Sequence, residues 1–209
     1  MSELIESVFP DLDEHVLDPD PIAQFKMWFA DAVKARVPQV DAMALATAAA
    51  NGMPSARMVL LKSVDEWGFV FYTNYDSRKG RELARHQHAA LLFFWAELSR
   101  QIRVEGTVTR VSSEESDAYF ATRPLDGQLS SLVSTQSEPI GSRSELDRRF
   151  DEAKRQYEGK PIARPSHWGG FRVQPETIEF WQSRFARLND RVLYTRHEKN
   201  QWKKTRLQP

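Results

Sequence analysis

Cysteine is absent from the 209 residues, which excludes disulfides, thiolate metal ligands and a cysteine nucleophile. No apolar run is long enough to span a bilayer, and the N-terminus lacks the basic-then-apolar order of a signal peptide. A soluble, cytoplasmic protein is expected. Neither sign of charge dominates: Lys plus Arg and Asp plus Glu both number 29, so no global field draws the chain to nucleic acid or membrane. Gly-x-Gly-x-x-Gly, Walker-type and nucleophile-elbow patterns are missing. The five histidines (His15, His86, His88, His167, His197) form no metal-ligand pair on a strong template, so no metal site is expected.

The length suits one domain able to bury a proper core. The first twenty residues carry seven acids and no Lys or Arg. With Pro10, Pro19 and Pro21 punctuating it, this stretch reads as a loose arm (1–20) ahead of a single domain (21–209). Six Trp and twelve Phe fit a core-rich β protein, or one that stacks on a ring.

Helical spacing of Ile22, Phe25, Trp28, Phe29, Ala32 and Val33, after Asp20 and Pro21, predicts a helix from Pro21 to about Val37. Met43–Ala48 and Arg57–Lys62 read as strands joined around Asn51-Gly52, and Asp65–Gly68 as the turn into a third strand, Phe69–Thr73. Ser77 opens a short helix to Arg85, and Ala89–Trp95 reads as a buried strand. Gln101–Val111 alternates cleanly. Ser112-x-x-Glu115 and Ser142-x-x-Glu145 are capping boxes that open helices to Arg123 and to about Tyr157. Gly170–Val173, Thr177–Trp181, Arg191–Thr195 and Trp202–Arg206 read as short strands. The fold class is mainly β (α+β): an antiparallel barrel with helices packed on its outside.

Arg78 and Lys79 stand on the first turn of the Ser77 helix, where the helix dipole is already positive. Two cations beside free backbone N–H groups imply an anion, and a phosphate is the simple candidate. Further cations and amides are scattered along the chain: Arg57, Lys62, Gln101, Arg123, Gln136, Ser137, Arg187 and Arg191. Together they suit one or two phosphorylated, ring-shaped ligands.

Arg57-Met-Val-Leu-Leu-Lys62, Phe71-Tyr-Thr-Asn74, Ser77-Arg-Lys79, Gln136-Ser137, Trp168-Gly-Gly170, Ile178-Glu-Phe-Trp-Gln182 and Arg206-Leu-x-Pro209 resemble the pyridoxine/pyridoxamine 5′-phosphate oxidases. The resemblance runs in the family's order from about Asp20 to the last residue. It implies a homodimeric FMN-binding split β-barrel with two flavin sites built from both subunits. It also implies oxidation of pyridoxine or pyridoxamine 5′-phosphate to pyridoxal 5′-phosphate, with O2 as acceptor and H2O2 released.

Carried over by position, the resemblance implies that Arg57, Arg78 and Lys79 hold the FMN phosphate. Met58, Val59, Leu60, Leu61 and Lys62 would run along the cofactor with Tyr72 and Thr73. Gln101, Gln136, Ser137, Trp181 and Arg191 would complete its site. Lys62, Tyr119 and Arg123 would grip the substrate phosphate, and Arg187, the catalytic candidate, would lie over the substrate ring.

The sequence departs from the family pattern at several points. Asn189 stands where the family usually has His, Gly127 where it commonly has Ser, and Ser183-Arg184 where Gly-Gly often follows. An N-terminal Arg-x-x-Tyr is missing, and Ser130-Ser131-Leu132 replaces Gly-Ala-Trp. All but the last touch the substrate side. Two other readings stay open. One is a related flavin oxidase acting on a phenazine precursor, which Ser130-Ser131 and Val133–Glu138 slightly resemble. The other is a non-catalytic split barrel that binds a flavin or pyridoxal phosphate.

Overall fold

Asp20 caps the first helix, its side chain accepting the Ile22 N–H at 2.9 Å. Pro21, with no N–H to leave orphaned, takes the first helical position. The computed structural model describes residues 11–197 and 201–209. Helix α1 (Pro21–Lys34) buries Ile22, Phe25, Trp28 and Ala32, the spacing of a one-sided apolar stripe. Phe25 meets Phe69 edge-on at 4.8 Å and Phe93 at 5.1 Å, and Trp28 meets Phe180 edge-on at 5.1 Å. One helix thereby gathers three different strands into a shared aromatic core.

Those strands belong to one antiparallel sheet: β1 (Ala42–Ala48), β2 (Pro54–Leu60), β3 (Ser63–Asp65), β4 (Gly68–Asn74), β5 (His88–Trp95), β6 (Arg100–Arg110), β7 (Trp168–Gln182), β8 (Asp190–Arg196) and β9 (Trp202–Arg206). The order is β2-β1-β5-β6-β7-β4-β3, with β8 and β9 continuing from the far half of β7. β2 and β3 lie at opposite ends of that order, yet only Leu61 and Lys62 separate them in the chain. Leu61 donates its N–H to Asp41 O and Lys62 to Val70 O, both at 2.8 Å. The sheet curls until its ends meet without a continuous ladder, which is a split barrel. The strand expected over Arg57–Lys62 therefore ends at Leu60, where pairing with β1 stops, and Leu61-Lys62 cross to β3, which pairs with β4.

Two expected strands, Gly170–Val173 and Thr177–Trp181, are one. β7 runs through Pro175, which sits where the β6–β7 register shifts between Glu105 and Gly106. A bulge is a place where a strand tolerates proline. Gly106 is needed there, since a Cβ on it would lie 2.0 Å from Gln174 O. β5 is buried on one side only: Ala89, Leu91, Phe93 and Trp95 face the core, while Phe94 is exposed.

Helices α2 (Arg78–Arg85), α3 (Ser113–Thr122) and α5 (Arg143–Gln156) begin at Ser77, Ser112 and Ser142, each side chain accepting a first-turn N–H. Helix α4 (Leu125–Val133) carries no such signal. Its N-cap is Pro124, without a side-chain cap bond, and tertiary burial of Leu129 and Ser131 sustains it instead. No helix among the described residues is long and apolar enough to cross a membrane.

Residues 11–20 of the acidic segment are anchored. Leu12 and Leu17 join the core, Lys204 Nζ donates to Leu17 O at 2.8 Å, and the Tyr194 hydroxyl donates to Asp18 O at 2.7 Å. The first ten residues of the expected arm lie outside the described residues. Because Phe25 joins β4, β5 and α1, Phe25→Ala should lower stability by about 3–5 kcal/mol. Denaturant melts at fixed protein concentration check this, and a loss under about 1 kcal/mol would contradict the packing described.

Candidate active site

α2 begins against β4, and the loop after α4 folds across its start. Asn74 Nδ2 donates to Ser134 O at 3.3 Å, and the Arg78 N–H donates to Ser137 Oγ at 3.1 Å. Gln136 Oε1 accepts from Thr73 Oγ1 at 3.2 Å and from Lys79 Nζ at 2.9 Å. Sequence positions about 60 residues apart are thereby drawn onto one helix terminus.

Lys79 is the unusual member. Its side chain is 9% exposed, and its ammonium donates to neutral oxygens: Thr73 Oγ1 at 3.0 Å, Ser77 Oγ at 3.4 Å and Gln136 Oε1. Burial, with the nearby Arg57 charge second, pushes its pKa down to about 8. A buried ammonium surrounded by neutral acceptors is costly, and an anion beside it removes that cost.

Glu82 holds the other two cations of the cluster. Its carboxylate accepts from Arg57 NH2 at 3.0 Å and Arg78 Nε at 2.9 Å, and from Ser55 Oγ at 2.8 Å and Thr47 Oγ1 at 2.5 Å. These donors hold its pKa down to about 2 against the opposing effect of burial. Sequence reasoning alone passes over Glu82, Thr47 and Ser55. The i, i+4 spacing of Arg78 and Glu82 was a signal that could have found the acid.

Beside this cluster a cleft of about 540 Å³ runs past Lys62, Tyr72 and Thr73 to Tyr119, Arg123 and Gln136. Arg57, Arg78 and Lys79 do not line it themselves, and Lys79 reaches its wall through Thr73 and Gln136. Val59 and Leu60 also line it, whereas Leu61 is buried and Met58 points outward, exposed. Tyr72 stacks on Tyr119 at 4.0 Å and on Trp168 at 5.4 Å, and burial raises the Tyr72 pKa to about 12. The Arg123 guanidinium lies 4.6 Å from the centre of the Trp168 ring and donates to Ser131 Oγ at 2.5 Å. Gly127 lies beside it: a Cβ there would come 3.4 Å from Arg123 NH2, close to ordinary contact. Lys62 Nζ pairs with Asp41 at 3.1 Å. Trp168 and Ser131, which stood in the family resemblance and in a departure from it without a site role, are further parts of this wall.

A second group lies elsewhere. Gln101, Trp181 and Arg191 face one another in register across β6, β7 and β8. Arg191 is fixed by Glu179, Nε to Oε1 at 2.7 Å. Arg187 is exposed on a 3-10 turn, with Ala186 and Arg187 both at positive φ (54° and 64°). Asn189 closes that turn, its Oδ1 accepting the Arg184 N–H at 3.0 Å. None of Gln101, Trp181, Arg187, Asn189 or Arg191 lines the cleft. Along β7, the Gly170 opposite Tyr72 and the Trp181 opposite Gln101 are eleven residues apart, roughly 35 Å of strand contour.

The family model described as Pyridoxamine 5′-phosphate oxidase matches residues 29–157. The one described as Pyridoxine 5′-phosphate oxidase C-terminal dimerisation region matches residues 168–209. A pyridoxine/pyridoxamine 5′-phosphate oxidase of Rubrobacter xylanophilus is 58% identical over 198 residues, covering 95% of this chain and 91% of the relative. One from a Nostoc species is 54% identical over 198 residues, covering 95% and 92%. Among solved structures, PhzG from Burkholderia lata 383, in complex with tetrahydrophenazine-1-carboxylic acid, matches with a TM-score of 0.91 at 35% identity, covering 97% of this chain and all of that one.

Lys79 also sets a pH dependence. With its pKa at about 8 when folded and near 10.5 when unfolded, the folded chain binds fewer protons between those values. Its contribution to stability therefore climbs as pH rises from about 8 toward 10.5. In ligand-free protein, wild type should gain on Lys79→Met across that window, by a total on the order of 3 kcal/mol. Urea melts at several pH values measure the difference, and a flat difference would contradict the buried, charged lysine.

Proposed function

The chain belongs to the pyridoxamine 5′-phosphate oxidase family, and from that premise we propose that it is an FMN-dependent oxidase of pyridoxine or pyridoxamine 5′-phosphate. The observation that carries the cofactor reading is the buried Lys79 ammonium with only neutral acceptors around it. Arg57, Arg78 and Lys79 against Glu82 leave a net charge of 3 − 1 = +2, which suits a phosphate dianion. Arg57, Arg78, Lys79 and Ser137 would hold that phosphate. The backbone from Met58 to Lys62, with the side chains of Val59, Leu60, Lys62, Tyr72, Thr73 and Gln136, would run along the rest of the cofactor. When bound, FMN supplies a two-electron acceptor that O2 can reoxidise, with H2O2 as product.

The substrate reading rests on the cleft. Lys62 and Arg123 offer two cations beside the Tyr119 hydroxyl, and a guanidinium presents paired N–H groups that match phosphate. Ser131 orients Arg123 by its hydrogen bond, which offsets the hydroxyl that Gly127 does not provide. Packing on the Trp168 ring restrains the guanidinium further. Arg187 cannot serve as a base, because a guanidinium stays protonated. Its role is to orient the substrate ring against the cofactor. Asn189, engaged with the Arg184 N–H, supports the turn that presents Arg187.

Gln101, Trp181 and Arg191 would reach the cofactor, and Arg187 the substrate, from a second copy of the chain. Their absence from the cleft wall and their distance along β7 support this, as does the matched dimerisation region. Exposed Met58, Leu60 and Phe94, with Phe185 and Leu188 flanking Arg187, supply apolar surface for such a contact.

The relatives named pyridoxine/pyridoxamine 5′-phosphate oxidases favour the vitamin phosphate as substrate. Likeness to PhzG favours a second reading, oxidation of a polycyclic carboxylic acid. Lys62, Tyr119 and Arg123 gathered in one cleft weigh toward a phosphate. The test is to give FMN-loaded protein pyridoxine 5′-phosphate in air and follow aldehyde and H2O2 together. Equal yields are expected, and Arg187→Ala should lower turnover about 100-fold while FMN affinity changes little. Neither product from a flavin-loaded protein overturns the vitamin reading, and turnover of tetrahydrophenazine-1-carboxylic acid in its place would support the second.

A further inference from the structure

One carboxylate organises the cation cluster. Glu82 is 7% exposed and stands on α2, yet its oxygens reach two strands as well as its own helix. Oε2 accepts from Thr47 on β1 and from Ser55 and Arg57 on β2, while Oε1 accepts from Arg78. Arg57 is tied further by NH1 to Leu45 O at 3.2 Å and by NH2 to Ser55 Oγ at 2.6 Å. Arg78, otherwise a long and 57% exposed side chain, has one ion-pair partner among the described residues, and it is Glu82. Arg78 therefore takes its direction from Glu82, and Arg57 from Glu82 together with Thr47, Ser55 and the Leu45 carbonyl.

We propose that Glu82 is the positioning residue of the phosphate cradle: it fixes Arg57 and Arg78 in the orientation in which they meet the flavin phosphate beside Lys79. This rests on the FMN reading above. A buried anion near a phosphate site ought, by Coulomb's law alone, to repel the ligand. A pre-set pair of arginines instead spares the phosphate the entropy of ordering two long side chains. The two effects have opposite signs, so removing the charge separates them. The low pKa of Glu82 keeps it ionised throughout any practical titration.

The experiment compares FMN with riboflavin, which lacks the phosphate, by flavin-fluorescence titration of wild type, Glu82→Gln and Glu82→Asp, each checked by thermal melt. Glu82→Gln removes the charge and can no longer accept at both ends. Glu82→Asp keeps the charge but is one methylene too short for both arginines. Each variant should bind FMN about tenfold or more weakly while its riboflavin affinity stays within about twofold, so the preference for the phosphate falls. Should Glu82→Gln not fold, the aspartate variant decides on the same ratio. Unchanged or tighter FMN binding, or an equal loss for both flavins, overturns the proposal and leaves the cofactor reading standing. A wild-type chain that binds FMN no better than riboflavin fails the cofactor reading and the proposal with it.

Discussion

β7 is the constraint on which the rest of the molecule depends. Its 15 residues hydrogen-bond to β4 along the first half, to β8 along the second and to β6 along most of its length. The bulge opposite Gly106 lets the strand bend around Pro175 without breaking. A strand of this length fixes where the two groups of candidate residues stand, one near Gly170 and the other near Trp181. On the proposed reading, the same beam that makes the barrel rigid keeps the two groups apart in one chain, and a second copy would bring them together.

Three acids impose order on the site-bearing elements in the same way. Glu82 holds Arg57 and Arg78, Glu179 holds Arg103 and Arg191, and Asp190 holds Arg184 and Arg206. In each case one carboxylate of low exposure bridges two guanidiniums from different parts of the chain. Burying a charge costs stability unless its hydrogen bonds are met, and here nearly every lone pair has a donor. The return is direction: cations that would otherwise sample many rotamers are aimed before any ligand arrives. Lys79 stands apart, a buried cation offered to neutral oxygens, where the proposed flavin phosphate would complete the balance.

Much of this was legible in the sequence where the signal is local. Ser77, Ser112 and Ser142 act within three residues of themselves, so their helices fell where expected. The alternation of Ile102, Val104 and Val108 reported one buried face of β6. What could not be read locally was missed. α4 has no cap and is held by tertiary burial. Pro175 reads as a strand end unless its partner Gly106 is known to accommodate a bulge. Asp11 and Glu14 look solvated until Arg184 and Arg206 are folded beside them. For the site, the cations were visible as residue types; of the acids that aim them, Glu82 had only its i, i+4 spacing from Arg78 to mark it, and Glu179 differs from a surface glutamate only in what surrounds it.

The central claim is that one catalytic centre takes Arg123 from one chain and Arg187 from another. Co-expression of Arg123→Ala and Arg187→Ala chains carrying different tags, with purification of the doubly tagged dimer, tests it most directly. Such a dimer holds one site with both arginines and one with neither, so it should recover about half of the wild-type oxidation of pyridoxine 5′-phosphate per dimer, from two nearly inactive parents. A mixed dimer no more active than its parents would place both arginines in sites completed within one chain and contradict the account.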